Sequence, residues 1–276
     1  MNNAKTVACG ICPHDCMIQP GESGICGVRR NVDGLIVSES YGRVTSIALD
    51  PIEKKPLRMF HEGAMILSIG SYGCNLRCPF CQNHEIAMPR GEVRTSTSTP
   101  QEILALAQAA VSQGNIGVAY TYNEPLIGYE FVYDCARLIK SAGLKNVVVT
   151  NGFIREKPLE KLLPFIDAMN IDLKGFSEEF YKKIGGSLEP VKATIKRAAE
   201  VCHVEVTTLV IPGENERDIE PIAAWLASVN PAIPLHLSRF FPRHEYSGRE
   251  ATTRETILKL AEAAKGHLKF VFTTTY

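Results

Sequence analysis

From about residue 64 to the end, short β-branched runs alternate with amphipathic helical stretches, and this alternation restricts the possible folds more than any other feature. The runs fall at 65–69, 116–121, 147–150, 168–173, 204–211, 234–238 and 268–272. Between them lie helix signals. Thr99-Pro100-Gln101-Glu102 reads as a capping box with proline in the first turn, followed by Ile103, Leu104, Ala107 and Val111 at helical spacing. Ile127, Phe131, Cys135, Leu138 and Ile139 form a second stripe, and Leu159, Leu162 and Leu163 a third. Further helices are predicted at 191–201, 219–226 and from the Thr252-Thr253-Arg254-Glu255 cap through Ala264. Regular alternation of this kind implies a parallel sheet whose crossovers are helices. The unbroken run Val147-Val148-Val149-Thr150 fits a strand covered on both faces. The expected fold class is α/β, a partial (β/α)6 barrel of the TIM type over residues 64–276. Residues 1–63 are expected to form a small Cys-rich and β segment.

Such barrels gather their chemistry at the C-terminal ends of the strands. In order, those ends carry Cys74-Asn75-Leu76-Arg77-Cys78-Pro79-Phe80-Cys81, Tyr122-Asn123-Glu124-Pro125, Asn151-Gly152, Asp172-Leu173-Lys174, Pro212-Gly213-Glu214-Asn215, and His236 with Arg239. Each alone is ordinary: Asn-Gly is a turn, and Asp172 with Lys174 could be a surface pair worth less than ~1 kcal/mol. Their shared position after successive strands is what points to one site. The C-x3-C-x2-C spacing of Cys74, Cys78 and Cys81 suits three irons of a [4Fe-4S] cube, with the fourth iron open to an outside ligand. The competing readings are zinc, with His84 as a further ligand, or reduced thiols packed in a loop.

Cys9, Cys12, Cys16 and Cys26 form a second group, at C-x2-C-x3-C-x9-C spacing among glycines and prolines that cannot build a core. A structural metal would hold such a loop together. Zinc and a second iron–sulfur cluster both fit four thiols. Cys135 and Cys202 read as core residues. The runs 35–41 and 44–49 around Gly42-Arg43 predict a hairpin. The stretch Asp50-Pro51-Ile52-Glu53-Lys54-Lys55-Pro56-Leu57 reads as a solvated connector or as a lid near the cluster. The 30 basic and 30 acidic residues balance, which argues against a broad grip on nucleic acid or an anionic membrane. No apolar run approaches the ~20 residues that span a bilayer, and Met1-Asn2-Asn3-Ala4-Lys5 lacks a signal core. The expected location is cytoplasmic, where nine cysteines are better explained by metal than by disulfides.

The three-cysteine motif resembles the signature of the radical S-adenosylmethionine (radical SAM) superfamily. The resemblance implies that the amino and carboxylate groups of SAM ligate the open iron, and that a reduced cluster cleaves SAM to a 5'-deoxyadenosyl radical. It also implies an electron donor of the flavodoxin or ferredoxin type. On this reading Glu124 or Asn123 would accept from the SAM amine, and Lys174 would face its carboxylate. Phe80 would offer a face to adenine, and Asp172 would bind a cation, orient Lys174 or touch the ribose. Asn151 joins the cofactor-binding set through Thr150-Asn151-Gly152. His236, Arg239, Arg243 and His244 are candidates on the SAM or substrate side. No side chain need act as a nucleophile.

Thr150-Asn151-Gly152 and Asp172-Leu173-Lys174 further resemble motifs of glycyl-radical-enzyme activases such as pyruvate formate-lyase activating enzyme. Here Tyr122-Asn123-Glu124 stands in place of their Gly-Gly-Glu, and Val149 in place of an aspartate at their cation site. The whole chain more closely resembles AmmeMemoRadiSam system radical SAM proteins, through Cys9-Gly10-Ile11-Cys12-Pro13-His14-Asp15-Cys16, Gly24-Ile25-Cys26-Gly27-Val28-Arg29, the 50–57 stretch, Cys81-Gln82-Asn83, Thr121-Tyr122-Asn123-Glu124-Pro125 and His236-Leu237-Ser238-Arg239-Phe240-Phe241-Pro242. Those proteins tend to continue beyond the position of Tyr276 into a further cysteine pair. Three functions follow as expectations: an activase acting on a partner protein, a radical SAM enzyme acting on a small molecule or a non-glycyl protein target, or a non-catalytic iron–sulfur or zinc scaffold.

Overall fold

The structure, a computed structural model, describes residues 5–274. Met1–Ala4, read above for a signal core, and Tyr276 lie outside the described residues. Eight strands make one sheet: β1 (Ser46–Pro51), β2 (Met65–Gly70), β3 (Asn115–Thr121), β4 (Lys145–Thr150), β5 (Ala168–Asp172), β6 (His203–Val210), β7 (Leu235–Arg239) and β8 (Val271–Thr273). Their order in the sheet is their order in the chain. From β2 to β8 every pairing is parallel; β1 is antiparallel to β2. All seven strands expected from the sequence are present.

The crossover helices are Pro100–Ala109, Tyr129–Ser141, Glu156–Leu162, Leu188–Ala199, Ile219–Val229 and Arg254–Lys265. Right-handed crossovers that always step in one direction put every helix on the same face of a sheet. The other face must then bury itself by curling, which gives an open barrel. The burial pattern agrees. Outward residues such as Leu67, Val118, Val148, Ile171 and Val206 pack with Ile103, Ile139, Ile195 and Ile222 of the helices in one large cluster. The alternate, inward residues Ile66, Ala119, Val147 and Ala168 form a second cluster with Ile52 and Leu57. The Thr99 capping box is made in full: Glu102 N donates to Thr99 Oγ1 at 3.2 Å and Thr99 N donates to Glu102 Oε2 at 2.7 Å. Thr253 caps the last helix through Thr256 N, 3.0 Å away.

Two expectations are corrected. The hairpin at Gly42-Arg43 does not form. Leu35–Ser38 pairs with Arg29–Val32 across Asp33-Gly34, and Ser46–Pro51 pairs with β2. Asp33 and Gly34 have φ of 51° and 87°, the left-handed pair that a tight type I′ turn needs and that Asp-Gly supplies best. The expected boundary at residue 63 therefore falls between two paired strands. Second, the 50–57 stretch is not a lid near the cysteines. It runs from β1 into the connection that enters β2, at the opposite end of the barrel. There Ile52 and Leu57 are fully buried and Pro56 O accepts from Asn170 Nδ2 of β5 at 2.8 Å. The connection plugs the N-terminal mouth.

Candidate active site at the C-terminal end of the barrel

β2 ends at Gly70, and the loop that follows carries Cys74, Cys78 and Cys81 above the barrel. Leu76 N donates to Cys74 Sγ at 3.3 Å, and Asn151 Nδ2, from the end of β4, lies 3.7 Å from the same sulfur. Burial pushes all three thiols up, Cys78 to about 12, and the thiols act electrostatically on one another. Buried, mutually repelling thiols become thiolates only beside positive charge, which an iron cluster provides. Three sulfurs on one loop with N–H donors directed at one of them fit such a cluster. Among the described residues, no three His, Cys, Asp or Glu side chains converge as they would around a single ion. His84, the candidate zinc ligand, stacks on His244 with ring centroids 4.3 Å apart.

Beside the cysteine loop stands the β5 end. Lys174 Nζ is 3.0 Å from Asp172 Oδ2, and its side chain is 17% exposed. Burial alone would lower the Lys174 pKa, but Asp172 and then the Cys78 thiol raise it well above the usual lysine value. The rim thus holds a permanently charged ammonium, a point cation facing the cysteines.

Glu124 is buried and already engaged. Oε1 accepts from Leu126 N at 3.0 Å and Thr150 Oγ1 at 2.7 Å, and Oε2 from Asn151 N at 2.8 Å. Burial pushes its pKa up to about 7 against the pull of these donors. It ties the ends of β3 and β4 together and keeps little acceptor capacity for a ligand. Asn123 is likewise local: Oδ1 accepts from Ser71 N at 3.0 Å, while Nδ2 points at Tyr72 O and Gly73 O, both at 3.1 Å. Asn151 Nδ2 donates to Asn75 Oδ1 at 2.9 Å, so it orients the cysteine loop. Phe80 is buried against Phe180 and Tyr246, with centroids 6.3 and 6.0 Å away.

His236 is level with Asp172 in the sheet register, through Thr207. Its Nε2 lies 2.5 Å from Glu205 Oε2, deeper in the barrel. Arg239 Nε donates to Thr252 O at 2.7 Å and its guanidinium covers Phe241. Arg243 is exposed.

Several positioning contacts carry no sequence signal of their own. Tyr246 N donates to Pro79 O at 3.2 Å, and Tyr246 Oη to Glu214 Oε1 at 3.0 Å, pinning the loop after β7 onto the cysteine loop. On the inner wall, Tyr122 Oη donates to Asp50 Oδ2 at 2.8 Å and Lys55 Nζ reaches the same oxygen at 2.9 Å. Deeper still, Glu205 accepts from His203 Nε2 at 2.9 Å, Arg58 N at 3.0 Å and Met59 N at 2.8 Å. Only their pairing across the barrel, which sequence spacing does not encode, reveals these groups.

An open parallel α/β barrel with a three-cysteine loop after its first parallel strand, and a charged rim beside that loop, defines a class of cluster-dependent enzymes. The family model for the Radical SAM superfamily matches residues 68–226. The chain is 41% identical over 275 residues to the uncharacterized protein MJ0808 of Methanocaldococcus jannaschii, covering 96% of this chain and 80% of that one. It is 25% identical over 153 residues to pyruvate formate-lyase 1-activating enzyme of Escherichia coli, covering 53% of this chain and 61% of that enzyme. Among solved structures, Streptococcus suis SuiB bound to S-adenosylmethionine superposes with a TM-score of 0.56 at 15% identity, over 74% of this chain and 48% of that one, a likeness of fold. The chain belongs to the radical SAM superfamily. Membership makes it an enzyme and implies a [4Fe-4S] cluster and SAM. No helix among the described residues is long and apolar enough to cross a membrane.

Proposed function

We propose that this radical SAM enzyme works in the manner of an activating enzyme, generating a radical at the barrel rim and passing it to a glycine of a partner protein. Cys74, Cys78 and Cys81 would hold the cluster, and Lys174, steadied by Asp172, would face the SAM carboxylate. The bound cluster and SAM supply the radical chemistry; the chain's own residues bind, orient and exclude water. Asn151, Leu76 and Glu124 fix the cysteine loop. A one-electron donor of the flavodoxin or ferredoxin type would reduce the cluster.

The observation that carries the partner-protein reading is the state of the inner wall. Most of its polar groups are paired among themselves, Asp50 with Lys55 and Tyr122, Glu205 with His203 and His236, Asn170 with Thr207 at 2.9 Å, and the Ser68 hydroxyl is buried without a partner. Little below the rim is left to recognise a small molecule, which favours a substrate presented from outside.

The test is anaerobic reconstitution, reduction with SAM, and chromatography of the nucleosides, with Cys78→Ala as control. The expected product is 5'-deoxyadenosine, absent in the control. A glycyl radical signal by electron paramagnetic resonance on an added candidate glycyl radical protein would support the activase role. Product formed only with a small molecule would overturn it, and a reducible cluster that leaves SAM intact would overturn the radical reading.

A further inference from the structure

The N-terminal segment does not stand apart from the barrel. Gly73, immediately before Cys74, has φ of 87°, and a Cβ there would stand 2.9 Å from Cys26 O and 2.7 Å from Val28 Cγ1. Arg77 reaches Ile25 O, Arg155 pairs with Asp15, and Arg155 N donates to Ile11 O at 3.0 Å. The loop bearing Cys9 to Cys26 is therefore clamped on the loop bearing Cys74 to Cys81.

Within the clamp, two side chains hold three successive carbonyls of the cysteine loop. Arg77 Nη1 donates to Cys74 O at 2.7 Å and to Leu76 O at 3.1 Å. Between them, Asn75 O lies 2.7 Å from His14 Nε2. A carbonyl only accepts, so His14 is the donor and carries a proton on Nε2. Its ring stands edge-on to Phe153, with centroids 5.2 Å apart and planes at 78°. Asn75 is 2% exposed, and its side chain is held at both atoms. Nδ2 donates to Phe153 O at 2.7 Å, and Oδ1 accepts from Asn151 Nδ2 at 2.9 Å.

The peptide unit that joins Asn75 to Leu76 is planar and trans, so its C=O and N–H point in opposite directions. Holding the carbonyl on His14 aims the Leu76 N–H the other way, where it donates to Cys74 Sγ at 3.3 Å. A donor on a cluster sulfur stabilises the added negative charge of the reduced cluster, and so raises its reduction potential. We propose that His14 is a positioning residue for the SAM-site cluster: by holding Asn75 O it keeps the Leu76 N–H on the Cys74 sulfur, and the N-terminal segment thereby raises the cluster's potential. This rests on the reading that Cys74, Cys78 and Cys81 hold that cluster.

The experiment uses the full chain in two states. In the metal-free protein, amide hydrogen exchange at Leu76 should be about fivefold faster in His14→Ala, the equivalent of one net hydrogen bond. His14→Gln, whose amide can donate to the same carbonyl, should restore the slow rate. After anaerobic reconstitution with iron and sulfide, a redox titration followed by electron paramagnetic resonance should give His14→Ala a lower midpoint potential at equal iron content, and His14→Gln a potential near that of the unmodified protein. The signal that Cys78→Ala abolishes identifies the cluster being read. Exchange at Leu76 that ignores His14→Ala overturns the proposal, and so does a potential that stays in place. Iron lost from His14→Ala also overturns it, since tuning presupposes an assembled cluster. An unmodified chain that assembles no cluster overturns the proposed function and the tuning together, whereas failure at His14 alone leaves the proposed function standing.

Discussion

Glu205→Ala tests how the barrel is closed. The carboxylate is fully buried and receives four hydrogen bonds, two from His203 and His236 and two from the amides of Arg58 and Met59 in the plug. Burial alone would raise its pKa, but the two histidines and then the two amides hold it at about 2. Against an ordinary glutamate near 4.3, a depression of about 2 units is worth ~3 kcal/mol. That agrees with the ~3–5 kcal/mol expected when one member of a buried charged network is removed. Because the folded-state pKa is depressed, the stabilisation is full above about pH 4.3 and fades as pH falls toward 2. At roughly 2 °C per kcal/mol for a chain of this size, the variant should melt about 6 °C lower at pH 7. The gap should close progressively between pH 4.3 and 2. Thermal unfolding followed by far-ultraviolet circular dichroism measures both, and hydrogen exchange should show lost protection at Arg58 and Met59. A gap below ~1 kcal/mol at pH 7, or one that persists unchanged at pH 2, would show that the Glu205 carboxylate does not hold the plug.

Two further predictions follow. Lys174→Ala removes the fixed cation beside the cysteine loop, so equilibrium dialysis of the reconstituted protein should show SAM binding weakened tenfold or more (about 1.4 kcal/mol) with iron content intact; unchanged affinity would count against the assigned role. Gly73→Ala puts a methyl into Cys26 O and Val28 at a backbone angle that disfavours any side chain. Limited proteolysis should then cut within residues 9–27, and a digestion pattern like that of the unmodified protein would contradict the clamp.

The alternation of strands and helices was legible because each strand of the parallel sheet is covered on both faces and each helix on one, so hydrophobicity marks both. The capping box at Thr99 and the N-cap at Thr253 were legible because a cap is a local bond. The three-cysteine loop was legible from spacing alone. What stayed hidden was pairing over long sequence separations. Ser46–Pro51 reads like half of a hairpin, because its β pattern says nothing of whether Leu35–Ser38 or Met65–Gly70 lies beside it. Asp33-Gly34 held the information needed and outweighs Gly42-Arg43 on turn chemistry. The roles expected for Glu124, Asn123 and Phe80 were set by residue type. Their bonds and packing in the fold are to protein groups, because the ends of neighbouring strands must satisfy their own backbone first.

Tyr122 joins the two ends of the barrel in one argument. It has φ of 72°, a left-handed conformation rarely adopted by a bulky residue and costing on the order of 1–3 kcal/mol. The strain is held by Asp50 on its hydroxyl, Lys55 Nζ 4.8 Å above its ring, and Asn83 Nδ2 on its carbonyl at 2.6 Å. Gly70 makes room for the ring; a Cβ there would stand 2.7 Å from Tyr122 Cδ2. A glycine at 122, as in the activase pattern, would relieve the strain and leave the inner wall open below the rim. This chain instead fills that space with an aromatic ring anchored to a buried ion pair, while Ile52 and Leu57 fill the floor. A reactive centre above so filled a barrel can act only on what reaches the rim. The strain at Tyr122 thus has a functional account consistent with the proposed partner-protein substrate: it keeps the reacting groups high and the interior shut.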